Sequence, residues 1–557
     1  MRGDPKRPRL PGLVYSATSL VVLLLVGVVA FAADQPPPPT IAEFAPTAVD
    51  QIEEAPSEQA SDFGGEGDFA GSGGKDKERP RNKRDRGNDS KTKPIRTAQV
   101  RACVGNPPRQ IEDPQSPPCV PYWEGDNGGA TSKGVTASEI RIAIPNGEFF
   151  GYDEKVVDAI VGFFNSRFEF YGRKIRPLYY IARGDSFAEP NPADMQADAA
   201  FVDEELDAFA STGYMDRRGG EFTYYEDLAR RGVISTLFDV PALATEARLR
   251  ANAPYIWSPE VSIDTLLSGL GKFTCSVLEG EPPEYAGRPE NAAETRKFGV
   301  IAERLKDGTI PDTAPLLSAL GACGVRPVTT EAPSPANASE AQTPILRMKN
   351  EGVTSLICLC YNPSAAEGFM PAATQQGYSP EWIAPQYALN DYENSFDRNT
   401  ARPQNEHVFG ITYKNRWMPK QDMPYYWAMK EGDPSADHGG WYWQYTRVYW
   451  QLLLLSSGIQ MAGPELTPAT FERALHETTF PNPGIGGVAP LWQAKVGFPG
   501  GRHFRSADAI MYWLHPRARG TVDPSTVGRM CFVADGLRFE PEQWGRAPDD
   551  PAFFEEC

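Results

Sequence analysis

The residues best able to carry chemistry in this 557-residue chain are eight cysteines, five histidines and a large stock of carboxylates. Cys103, Cys119, Cys275, Cys323, Cys358, Cys360, Cys531 and Cys557 are even in number and all lie beyond the first hundred residues, as expected of a disulfide framework in an exported chain. Closeness in sequence pairs Cys103 with Cys119 and Cys531 with Cys557, and Cys275 with Cys323 is the third candidate bridge. Cys358 and Cys360 stand two apart on an expected strand, where alternate side chains share a face, so a bond between them is not expected. A metal site calls for C-x-x-C or clustered histidines. His407, His438, His476, His503 and His515 are scattered, so neither a metal site nor a cofactor is expected. The chain lacks G-x-S-x-G, H-E-x-x-H, a P-loop and a G-x-G-x-x-G opening a helix. Acid pairs such as Glu204-Glu205 and Asp549-Asp550 occur among 73 Asp and Glu, where solvated surface is a better explanation than a glycosidase dyad. No nucleophile–base pair emerges, and an enzyme is not expected.

Composition frames these residues. Apolar content of 41% and charged content of 23% are ordinary globular usage, and the length suits three or four units. A net charge of −18 argues against nucleic acid, whose phosphates require clustered Lys and Arg. Residues 1–33 join a basic start (Arg2, Lys6, Arg7, Arg9) to an uncharged run with an A-x-A pattern at Ala30, Phe31 and Ala32, which reads as a secretory signal peptide. The run is also long enough to cross a hydrocarbon layer of about 30 Å, so an uncleaved membrane anchor is the alternative. Both place the remainder outside the cytoplasm, either secreted or held at the outer face of the membrane. No cysteine closes the run, which excludes a lipid-modified N-terminal cysteine. Residues 34–101 read as a disordered linker, with nine acids and no base up to Gly74, then eleven Lys and Arg against four acids. Its Lys83-Arg84-Asp85-Arg86 could meet anionic wall polymer or lipid headgroups, but a solvated spacer is the plainer reading. These segments carry +3, −9 and +7, which leaves −19 on the body.

After a cysteine-containing lead-in at 102–137, apolar periodicity switches repeatedly between two and 3.6. Strands are expected at 139–144, 174–181, 208–212 and 233–237, with helices at 156–164, 197–206 and 224–230. A second run starts with a helix at 266–278 and continues through strands at 297–301, 325–330 and 354–360 and one entered at Trp382. Helices at 314–322, 341–350 and 365–376 separate them. Such alternation means βαβ units and an α/β fold with parallel sheets in two Rossmann-like lobes. Residues 440–457 form a heavily apolar helix, ended by Gly458, whose aromatics read as core and not as a ligand cage. Thr467 caps the next helix with Pro468 at its first position. Residues 509–514 and 530–539 read as paired strands with a turn at Asp535-Gly536.

Several stretches then appear in a telling order: Gly134-Val-Thr-Ala-Ser-Glu-Ile-Arg-Ile-Ala-Ile144, 161–177 with its Gly172-Arg173-Lys174, Ala253-Pro-Tyr-Ile-Trp257, and Lys297-Phe-Gly-Val-Ile301. Asn350-Glu-Gly-Val-Thr-Ser-Leu-Ile357, Ala372-Ala-Thr-Gln-Gln-Gly-Tyr-Ser-Pro-Glu-Trp382 and Asp535-Gly-Leu-Arg-Phe539 follow. Over residues 134–540 the chain resembles the type I periplasmic binding proteins of the branched-chain amino acid class. The resemblance implies a first lobe at 138–262 with a return at 396–495, and a second at 263–395 with a return at 496–557. Hinge crossovers would let the two close on a small molecule.

Ligands of open parallel sheets sit beyond the carboxyl ends of the strands. That rule nominates Asn146, Phe149 and Phe150 after the first strand, Ser211, Thr212 and Tyr214 after the third, and Phe238 and Asp239 after the fourth. Tyr361, Asn362, Asn390 and Asp391 are the second-lobe candidates. Ser211, Thr212 and Tyr214 are similar to the family's hydroxyl and backbone contacts to a ligand carboxylate, and an Asp with a Tyr suits an ammonium group. Each residue also has a local reading as a turn or helix cap. The implied function is an extracytoplasmic solute-binding protein that hands an amino acid or amide to an ABC permease. A membrane-anchored sensor or wall-associated module built on the same clamp is the alternative, and a hydrolase on an α/β scaffold is the third reading.

Overall fold

Alternation in Glu139-Ile-Arg-Ile buries one face of the first strand at its start, and both faces are buried from Ile142 onward. The strand therefore lies in the middle of a sheet covered on two sides, as parallel sheets are. It belongs to a computed structural model that describes residues 103–557 except 148–150, 185–190, 214–221, 239–242, 288–294, 306–307, 336, 338, 362, 367, 387–392, 394–401, 440–441, 483–493, 506–507, 541–542, 545–552 and 556. The leader at 1–33 and the linker at 34–101 lie outside the described residues. No helix among the described residues is long and apolar enough to cross a membrane.

In the first lobe β1 (Glu139–Asn146), β2 (Lys174–Ile181), β3 (Ala210–Ser211), β4 (Ile234–Thr236) and β5 (Ile256–Trp257) alternate with α1 (Glu154–Arg167), α2 (Pro192–Glu204), α3 (Phe222–Arg230) and α4 (Glu246–Ala251). All pair in parallel in the order β2-β1-β3-β4-β5. In the second lobe α5 (Ile263–Phe273) leads to β6 (Phe298–Arg304), α6 (Ala314–Ala322), β7 (Val328–Pro333), α7 (Gln342–Asn350) and β8 (Ser355–Leu359). Then come α8 (Phe369–Gln375), β9 (Glu381–Pro385), α9 (Arg402–Asn405) and β10 (Val408–Thr412). Its parallel strands run β7-β6-β8-β9-β10, the same doubly wound order. Because β10 pairs with β9 in this larger sheet, the return to the first lobe begins after Thr412 and not at 396.

That return consists of α10 (Pro424–Gly432), α11 (Tyr442–Ala462) and α12 (Pro468–Glu477). α10 packs on α1, and α11 contacts both α1 and α12. Every α11 residue from Tyr442 to Gln460 is buried, as a helix that is apolar nearly all round must be. Gly458 does not end it. A Cβ there would sit 2.2 Å from the Phe471 ring, so glycine lets α12 lie close, and the helix stops before Gly463, at φ +84°. Thr467 and Thr470 form a capping box at the start of α12, with Pro468 first.

The chain then re-enters the second lobe through β11 (Ala509–Arg519), antiparallel to both β10 and β12 (Val527–Phe532). The hairpin turn is therefore the segment between Arg519 and Val527. The Asp535-Gly536 turn instead leads into β13 (Arg538–Phe539), which pairs again with β11 through Ala509↔Phe539. Disulfides join Cys103–Cys119, Cys275–Cys323 and Cys531–Cys557 as expected. Cys358 and Cys360, expected not to bond, are also bridged. β8 ends at Leu359, and the two Cα atoms stand 5.1 Å apart, less than the roughly 6.5 Å of two strand residues. The backbone bends there, which removes the geometric objection.

Three crossovers link the lobes, between β5 and α5, between β10 and α10, and ahead of β11, and buried charge ties them together. Arg505 donates to the Tyr413 carbonyl at 2.9 Å, while its own N–H meets the Glu260 carbonyl at 3.2 Å. Arg538 donates to the Tyr413 and Lys414 carbonyls at 3.1 and 2.9 Å and pairs with Asp508 Oδ2 at 3.1 Å, both side chains 3% exposed. Gln386 receives the Tyr413 N–H at 2.8 Å and donates to Glu260. Burial pushes the Arg505 guanidinium down to about 10, with Glu260 the largest opposing influence. The lead-in joins here too, since Gln115 donates to the Ala494 carbonyl at 2.8 Å and accepts from Asn415 at 3.1 Å.

Removing one member of a buried pair strands the other charge. Asp508→Ala is expected to cost about 3–5 kcal/mol in denaturant unfolding, whereas Glu246→Ala, which breaks the partly exposed Arg250–Glu246 pair, costs no more than about 0.5 kcal/mol.

Candidate ligand-binding cleft

Doubly wound sheets leave a crevice where neighbouring crossovers run to opposite faces, beyond the carboxyl ends of the two central strands. In the first lobe that point lies between β1 and β3, and in the second between β6 and β8. Both lobes send the chain across from carboxyl ends, after Trp257 and after Thr412, so those two carboxyl edges are the candidate ligand site.

On the first-lobe side, Asn146 ends β1 and spends its amide on a loop. Its Oδ1 accepts from Tyr152 N–H at 2.6 Å, and its Nδ2 donates to the Tyr152 carbonyl at 3.3 Å. Ser211 is fully buried, and its hydroxyl joins Tyr224 and then Tyr180 through two 2.8 Å contacts into the core. Burial raises the Tyr224 hydroxyl well above its usual range. Thr212 is buried, its N–H bonded to the Ala143 carbonyl at 2.9 Å. Asn146 thus closes a local loop, whereas Ser211 bonds into the core and Thr212 to the neighbouring strand β1. Phe238 is different: the Arg447 guanidinium lies 4.6 Å from its ring centroid and donates to its carbonyl, and Trp443 meets it edge-on at 6.5 Å. One helical turn on, Gln451 donates to the Leu237 carbonyl at 3.0 Å. Its amide would meet a Cβ at residue 213 at 2.2 Å, which explains the glycine after Thr212. Phe149, Phe150, Tyr214 and Asp239 lie outside the described residues.

Arg447 and Gln451 were not among the nominated residues. Their signal was available, since two polar side chains four apart share one face of a helix rich in aromatic and aliphatic residues.

On the second-lobe side, Tyr361 follows β8 and donates its N–H to Glu303 Oε2 at 2.6 Å. Glu303, next to last in β6, is 1% exposed. Burial raises its carboxyl from 4.5 to about 7 against opposing hydrogen bonds from Ser334 and Tyr361. Its Oε1 has no hydrogen-bond partner. Other buried carboxylates of this lobe are better served. Glu381 takes a bidentate Arg296 pair at 2.9 Å, the Tyr285 N–H and the Ser355 hydroxyl, and Glu393 takes the N–H groups of Thr521, Val522 and Met530. The half-satisfied Glu303 thus stands at the β6/β8 switch point. Asn362, Asn390 and Asp391 lie outside the described residues.

Neither a family model nor a curated protein matches the chain. Solved structures do. The solute-binding protein of an ABC transporter from R. palustris, in complex with 4-hydroxybenzoate, aligns with a TM-score of 0.50 at 12% identity, over 74% of this chain and 98% of its own. An ABC transporter substrate-binding protein from Aeropyrum pernix gives 0.50 at 13%, over 74% and 100%. A solute-binding protein from Rhodopseudomonas palustris HaA2, in complex with p-hydroxybenzoic acid, gives 0.50 at 11%, over 72% and 98%. The fold is that of the type I periplasmic binding proteins. At these identities the likeness is one of architecture alone.

A carboxyl raised on folding means the native state holds more protons than the unfolded one between pH 4.5 and about 7, so stability falls as pH rises through that window. Glu303→Gln is expected to remove that loss, worth up to about 3 kcal/mol at neutral pH, and to flatten the denaturation midpoint between pH 5 and 8. Parallel pH profiles for the two proteins would contradict the assignment.

Proposed function

We propose that this protein is an extracytoplasmic solute-binding protein that closes its lobes over a small zwitterion of the amino acid type and delivers it to an ABC permease. The observation that carries the reading is Glu303, a buried carboxylate with one oxygen left to bind, at the switch point of the second lobe. An ammonium group would satisfy that oxygen and restore the ionised form that burial disfavours. Across the cleft, Arg447 brings a guanidinium and the Phe238 ring to the carboxyl end of β4, a setting suited to the other end of such a ligand. The 4-hydroxybenzoate and p-hydroxybenzoic acid held by the R. palustris proteins are carboxylic acids on the same fold, which supports the anionic half. The secretory character of residues 1–33 supports the location.

Calorimetric titration with the common amino acids, from pH 5 to 8, tests this. Because an ammonium pairs only with ionised Glu303, affinity is expected to rise with pH by up to tenfold per unit until about pH 7 and then level off. Glu303→Gln should weaken binding at least tenfold and remove that dependence. Binding of benzoates but no amino acid, or full affinity in the variant, would contradict the proposal.

A further inference from the structure

Metal ligands were not expected from the sequence because the histidines are scattered along it, yet the fold gathers two of them. Glu472 and His476 are one turn apart on α12 and share a face, and the third crossover brings His503 against them. His503 Nδ1 lies 3.0 Å from the Ile256 carbonyl, and His476 Nδ1 lies 2.9 Å from the Phe498 carbonyl. A carbonyl can only accept, so both Nδ1 atoms carry the proton and both rings present Nε2 to the same place. Glu472 Oε1 is there, 3.2 Å from His503 Nε2 and 3.7 Å from His476 Nε2, and the three atoms lie within 4.8 Å of one another.

We propose that Glu472, His476 and His503 form a binding site for a divalent transition-metal ion, zinc foremost. Ligands about 2.0–2.1 Å from a tetrahedral zinc stand roughly 3.3–3.4 Å apart, close to the observed Glu–His separations. Two imidazoles with one carboxylate are a zinc donor set, and imidazole selects against calcium and magnesium. Orientation of a ligating histidine through its other nitrogen, by a backbone carbonyl, is the outer support that such sites use. The site is also rigid on one side and open on the other. Trp257 stacks on the His503 ring at 4.0 Å with a 20° tilt, and His503 is 2% exposed, while Glu472 and His476 keep 29% and 20% of their side-chain surface. Solvent would supply the fourth ligand. A bound ion would pin α12 to the crossover whose His503 carbonyl accepts the Ser258 N–H, and so to the edge of β5.

The test is titration of the chelator-treated full chain with zinc chloride, followed by calorimetry, and with cobalt(II), followed by visible absorption. One equivalent of zinc and a cobalt spectrum of low coordination number are expected. His476→Gln and Glu472→Gln, both partly exposed, should each lower zinc affinity at least tenfold while melting like the parent in chelator. Absence of saturable zinc binding below millimolar concentration in the parent overturns the proposal. So does undiminished affinity in both variants.

Discussion

The structure turns on how three chain crossings share buried charge. Two sheets of the same order are joined by segments that must pass through an interior where exposed peptide groups have no water. Arg505 and Arg538 solve this by donating to the carbonyls of the second crossover, from the third crossover and from β13, while Glu260 and Gln386 close the circuit to the first. A buried guanidinium is costly unless several acceptors surround it, and here the acceptors are crossover backbone and Asp508. The same groups that neutralise the charges fix the relative path of the three strands.

The same accounting distinguishes Glu303 from the well-paired carboxylates of its lobe. Glu381 and Glu393 sit in the second lobe with their acceptor positions filled by N–H and guanidinium donors, and they hold segments in place. Glu303 is as buried, lies at the opposite edge from Glu381, and keeps an oxygen without a donor. Burial there disfavours its ionised form. A polar group kept half-satisfied at the point where doubly wound sheets bind ligands is what the proposed function rests on.

Much of the scaffold was legible because parallel strands and amphipathic helices announce themselves by period: β2 and α6 begin and end where alternation and apolar spacing put them. The two-lobe order followed from the βαβ rhythm. The rest depended on contacts between residues far apart in sequence. Nothing local tells that β10 joins β9, that the backbone bends at Cys358–Cys360, or that Arg505 and Arg538 meet one carbonyl. Of the nominated cleft residues within the described chain, Asn146 bonds to its own loop, Ser211 and Thr212 bond to the core and to β1, and Phe238 and Tyr361 lead to the charged groups Arg447 and Glu303. Strand ends could be read from sequence, but the side chains brought to them by a distant helix or a neighbouring strand could not. The Glu472–His476–His503 cluster was hidden for the same reason.

The claim on which everything rests is that the two lobes rotate together over a bound solute. Small-angle X-ray scattering of the full chain, with and without a saturating amino acid identified by calorimetry, measures this directly. The account predicts a smaller radius of gyration and a shorter maximum dimension in the bound state. Superimposable profiles with the ligand demonstrably bound would contradict it.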